Sequence, residues 1–199
     1  QNGAATVAGG ILVTGGTVGT PVSASIDRTG TGVLTTGGAA DLVIRTDGQF
    51  DTFTLSAPLQ TSTTGGITKN GLGTLVIDAI NLHTGTTTIN EGTLKLNTGA
   101  VLSAANQGLI IRQGGTLDLN GVSTGTAIGL FTSAGQVTNS SNTAATLSIG
   151  NGITTNGSVP RLPRGRVRYP WSGRPSRAFN ATDSLRASVA GSNQLRRLK

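Results

Sequence analysis

The sequence predicts an all-β solenoid, short strands wound into stacked coils and followed by a basic tail lacking regular structure. Three observations predict it. A short motif recurs along the chain at spacings near 20 residues. Each copy alternates apolar and polar positions, the period-two pattern of a half-buried strand. The composition then breaks sharply at about residue 160.

The clearest copies are Gly73-Thr74-Leu75-Val76-Ile77-Asp78, Gly92-Thr93-Leu94-Lys95-Leu96-Asn97 and Gly115-Thr116-Leu117-Asp118-Leu119-Asn120. Thr52-Phe53-Thr54-Leu55-Ser56 fits the same frame upstream, so Thr52, Thr74, Thr93 and Thr116 lie 22, 19 and 23 residues apart. Ala145-Thr146-Leu147-Ser148-Ile149-Gly150 reads as a looser copy downstream. Second strands fit between the copies at Leu42–Ile44, Thr87–Ile89 and Leu109–Ile111, all rich in β-favouring residues. Gly, Asn and Asp bracket the strands and supply tight turns. Pro21 and Pro58 stand at segment edges, where a missing N–H breaks no ladder. One coil cannot bury its apolar face alone, so coils stack, and like residues fall above like residues. Asp78, Asn97 and Asn120 are expected to form one such turn column. The aliphatic ladder is expected to be Leu75, Ile77, Leu94, Leu96, Leu117 and Leu119, with Gly71, Gly73, Gly85, Gly92 and Gly115 as turn residues.

The 199 residues include no cysteine and one histidine. Disulfide frameworks, cysteine-based metal sites and multi-histidine sites are therefore excluded. No apolar run is long enough for a membrane-spanning helix. The net charge of +7 is an average over two unlike segments. Residues 1–159 carry two Lys and three Arg against six Asp and one Glu, a net of −2. Residues 160–199 carry nine Arg and one Lys against Asp183, a net of +9. Two regions follow: coils over 1–159 and an Arg/Pro-rich tail over 160–199.

Residues 66–97 resemble the passenger-associated transport repeat, also called the autotransporter-associated β-strand repeat. The resemblance rests on Lys69-Asn70-Gly71-Leu72-Gly73-Thr74-Leu75, then Asn81-Leu82-His83-Thr84-Gly85-Thr86-Thr87, then Asn90-Glu91-Gly92-Thr93-Leu94. His83 stands where the family usually has Tyr. The flanks, about 28–65 and 98–155, resemble degenerate coils. The resemblance implies a right-handed single-stranded parallel β-helix within the passenger of a type V secreted bacterial protein, displayed at the cell surface or released. Its partner would be an outer-membrane translocator barrel in the parent protein. It implies structural repeat positions at Lys69, Gly71, Gly73, Thr74, Leu75, Ile77, Asn81, Thr84, Gly85, Asn90, Gly92, Thr93, Leu94 and Leu96. In the next copy these are Gly115, Thr116, Leu117 and Leu119.

No catalytic residue, cofactor or metal is expected. His83 is the one candidate for acid–base chemistry, but no nucleophile or carboxylate motif surrounds it, and coil packing or exposure is the better reading. Asp47-Gly48-Gln49-Phe50-Asp51 is oxygen-rich yet lacks a calcium-loop spacing and reads as a turn. Asp78 and Asp118 are placed at one phase of the repeat. The alternative is a carbohydrate-binding or carbohydrate-active β-helix, or an adhesin surface. It would need a carboxylate cluster or an exposed aromatic stripe, and the body holds only Phe50, Phe53 and Phe131 as aromatics.

The tail interleaves arginines with Tyr169, Trp171 and Phe179, which suggests phosphate neutralisation and base stacking. No nucleic-acid-binding signature accompanies it, and no such partner is expected. It reads as disordered, or as translation out of frame, because the break falls where another repeat copy is due. The chain starts at Gln1 without a leader and shows no translocator barrel, so it is expected to be a fragment.

Overall fold

The computed structural model describes residues 9–36, 40–60, 64–124 and 126–150, and the backbone of two further strands, Ala4–Thr6 and Leu185–Val189. β1 (Ala4–Thr6) leads into a first coil of β2 (Gly10–Val13), β3 (Ser23–Ile26) and β4 (Val33–Thr35). The second coil holds β5 (Leu42–Thr46) and β6 (Thr52–Leu55), and the third β7 (Ile67–Asn70) and β8 (Thr74–Ile77). The fourth holds β9 (Thr87–Ile89) and β10 (Gly92–Leu96), and the fifth β11 (Leu109–Ile111) and β12 (Gly115–Asp118). The sixth comprises β13 (Phe131–Ser133), β14 (Gln136–Thr138) and β15 (Ala145–Ile149). Among the described residues there is no helix.

The first strand of each coil joins a six-stranded sheet ordered β13-β11-β9-β7-β5-β2, and the second joins another ordered β14-β12-β10-β8-β6-β3. Every pairing in both sheets is parallel and links neighbouring coils. This is a parallel β-solenoid. A third side is only partly sheet-like. It holds the parallel pair β1–β4 and single bridges Leu34–Leu59, Ile80–Val101 and Ile128–Ile149.

The register follows the threonines. Thr52 pairs with Thr74, Thr74 with Thr93, and Thr93 with Thr116. Inward side chains therefore stack in columns. One runs Phe53, Leu75, Leu94, Leu117, Val137, and another Leu42, Ile67, Thr87, Leu109, Phe131. Leu75, Ile77, Leu94, Leu96, Leu117 and Leu119 are all fully buried. At roughly 1.5–3 kcal/mol for each buried aliphatic side chain, these columns are the main favourable term holding the coils together.

Three expectations are corrected. The motif copy after Thr116 is β14, because Thr116 pairs with Gln136; Ala145–Ile149 is a strand, but on the third side. Its alternation reports burial of one face and carries no information on which side of the coil that face lies. Asp78 and Asp118 do not share a phase either: Asp118 aligns with Lys95, and Lys95 with Val76, two positions before Asp78. Finally, Leu185–Val189, inside the segment expected to lack regular structure, is a strand, β16, paired antiparallel with β15 from Ala145–Val189 to Ile149–Leu185. The alternation Leu-Arg-Ala-Ser-Val suits a strand, and β15 offers an open edge. The rest of 160–199, including Tyr169, Trp171 and Phe179 and the proposed frame change, lies outside the described residues.

Candidate functional site

The polar groups that the apolar columns enclose are concentrated at the corners between coils. Alternation along Ile67-Thr68-Lys69-Asn70 turns Lys69 inward, into the column Ile44, Lys69, Ile89, Ile111. Its side chain is fully buried. The stem packs within the aliphatic column. The ammonium reaches the corner, where Nζ donates to the carbonyls of Asn70 and Gly71 at 2.6 Å each and of Glu91 at 3.3 Å. Burial lowers its pKa to about 8; Glu91 and Asp47 pull it back up, while Arg45 pushes it further down.

Gly71 and Gly92 shape that corner. Both have left-handed backbones, with φ of 75° and 67°. A Cβ on Gly92 would lie 2.4 Å from the carbonyl oxygens of both Gly71 and Gly73. Only a bare Cα lets successive corners approach so closely. Beside them Asn90 Nδ2 donates to Asn70 Oδ1 at 2.8 Å, a two-rung amide ladder.

At the opposite end of the coil, Asn81 and His83 are fully buried. Asn81 Oδ1 accepts the backbone N–H of Leu59, 2.9 Å away in the preceding coil. His83 Nε2 lies 3.1 Å from Thr87 Oγ1, while Nδ1 has no hydrogen-bond partner. Burial lowers the imidazole pKa to about 4, and Asp41 only partly offsets this. His83 therefore packs the coil as a neutral ring, the first of the two readings, coil packing or exposure, that the sequence left open. Thr84 is exposed and Gly85 half-buried. A Cβ on Gly85 would meet Gly65 backbone at 2.3 Å.

Carboxylates serve the same inter-coil role. In the oxygen-rich turn at 47–51, Asp51 is 1% exposed. It accepts Val22 N–H from the first coil at 2.9 Å and Gly48 N–H at 3.1 Å. Asp47, by contrast, pairs within its own coil, with Arg45 at 2.5 Å. Asp41 accepts Gly66 N–H at 2.7 Å and the Thr68 hydroxyl at 2.9 Å. Asp118 accepts Ser140 N–H at 2.9 Å and its hydroxyl at 2.6 Å. In the expected Asp78, Asn97, Asn120 column, Asp78 is exposed and Asn120 Nδ2 donates to Leu96 O at 3.0 Å. Among the described residues, no three His, Asp or Glu side chains gather closely enough to hold a metal. Asp27 and Asp78 line a shallow depression of about 810 Å³ on the third side, together with Arg28, Val33, Pro58 and Leu82.

Sequence reasoning named Lys69 and Asn81 as repeat positions without assigning them a task. It missed the anchoring roles of Asp41, Asp51 and Asp118, each of which accepts a main-chain N–H from another coil, a link that leaves no mark in the local sequence.

Residues 67–96 match the family model described as passenger-associated-transport-repeat, so the chain carries this repeat across its third and fourth coils. No curated protein and no solved structure matches the chain.

Proposed function

We propose that the chain is a non-catalytic structural segment of a type V secreted, autotransporter-type passenger. In this reading it crosses the outer membrane with a translocator barrel as its partner, and extends from the cell surface or is released. One observation carries the proposal: the matched repeat at 67–96 forms two adjacent coils whose ladders run unbroken into the coils on either side. A solenoid suits such a role because each finished coil offers the next an apolar floor and an open row of backbone partners. Folding can then proceed one coil at a time as the chain emerges. The polar groups at the corners belong to this scheme as links between coils.

The test is export. The chain, fused between a secretion leader and a translocator barrel in a Gram-negative host, is expected to become accessible to external protease as a folded, resistant core. Replacing residues 67–96 with a scrambled sequence of equal composition is expected to reduce surface display severalfold. Undiminished display of the scrambled chain would overturn the proposal.

A further inference from the structure

We propose that the carbonyl oxygens of Asn70, Gly71 and Glu91 form a cation site inside the solenoid, which Lys69 fills with its own tethered ammonium. The inference stands independently of the secretion reading. Two of the three oxygens come from the corner of the third coil and one from the corner of the fourth, at 2.6, 2.6 and 3.3 Å from Nζ. The left-handed backbone at Gly71 belongs to this corner, and the bare Cα of Gly92 allows the next corner to close over it. Lys69 itself is fully buried, so the ammonium depends on these carbonyls rather than on bulk water for its solvation. Its column neighbours Ile44 and Ile89 are aliphatic, so neutral packing alone would call for a third aliphatic there. The position holds a cation instead, and that cation bridges two coils. The charged groups acting on it are Glu91, Asp47 and Arg45.

A site defined by converging carbonyls should accept a free cation of the same shape once the tether is cut. Lys69→Ala removes Cγ, Cδ, Cε and Nζ, and n-propylammonium has the same heavy atoms. The experiment is thermal unfolding of the full chain, followed by circular dichroism. Wild type, Lys69→Ala and Lys69→Met are compared in n-propylammonium chloride and in sodium chloride of equal ionic strength. Lys69→Ala is expected to melt lower than wild type. Propylammonium should raise its Tm by several degrees in a saturable manner, with no comparable rise for wild type or Lys69→Met. If Lys69→Ala does not fold in sodium chloride, recovery of its β-sheet signal and protease resistance on adding propylammonium becomes the readout. The proposal is overturned if propylammonium gives Lys69→Ala no more than sodium chloride does. It is equally overturned if the variant melts with wild type.

Discussion

Acid should loosen the third coil at His83, by an amount the structure allows to be worked out. The ring is fully buried, and Nδ1 faces no acceptor. A second proton would therefore place an N–H and a positive charge where nothing receives them. The folded-state pKa is about 4, against an ordinary value of 6.5. Between these values the unfolded chain binds more protons than the folded one, so stability rises with pH there. The contribution is fully present above pH 6.5 and is lost progressively as the pH falls towards 4. At roughly 1.4 kcal/mol per pH unit the loss is about 3 kcal/mol. Carboxylates also protonate over this range, so wild type alone is an ambiguous probe. His83→Phe keeps a ring in the coil and keeps every carboxylate. Guanidinium unfolding of both proteins at half-unit steps from pH 7.5 to 4 isolates the histidine. The stability difference between them should move by about 3 kcal/mol in favour of the variant as the pH falls. A difference that stays flat across the range would refute the burial argument for His83.

Leu94→Asp would bury an unpaired carboxylate in the Leu75, Leu94, Leu117 column, and limited proteolysis should open the third to fifth coils first. Unchanged resistance would mean that the column tolerates charge. Gly92→Ala forces a left-handed alanine into contact with two carbonyl oxygens, and denaturant unfolding should show a loss of at least about 2 kcal/mol. Asp51→Ala leaves Val22 N–H and Gly48 N–H without their acceptor, costing about 1–3 kcal/mol. Faster amide hydrogen exchange at those two residues would localise the effect.

The sequence made the ladder legible because the threonine spacings are the inter-coil register itself, as the Thr52, Thr74, Thr93, Thr116 pairings show. The inward turn of Lys69 was equally open to inspection, since it follows Ile67 at a spacing of two. What its ammonium bonds to was not, because Glu91 reaches it only after a whole coil has closed. Asp118 makes the same point differently. Alternation places it on the outer face between Leu117 and Leu119, yet it is only 6% exposed. Ser140, from the corner of the following coil, covers it. The third side was hardest to read, because single bridges at Leu59, Ile80 and Val101 need no run of alternating residues.

The restriction of every parallel ladder to adjacent coils bears on how the molecule would yield to force. Each strand in the two long sheets is bonded only to those directly above and below it. Within these two sheets, tension applied along the chain therefore meets no crosslink between distant coils. Extension would proceed as a series of separate rupture events, each freeing one turn of about 20 residues, or about 65–70 Å of contour length. The recorded trace would resemble a staircase, with step sizes set by the spacing of the threonines.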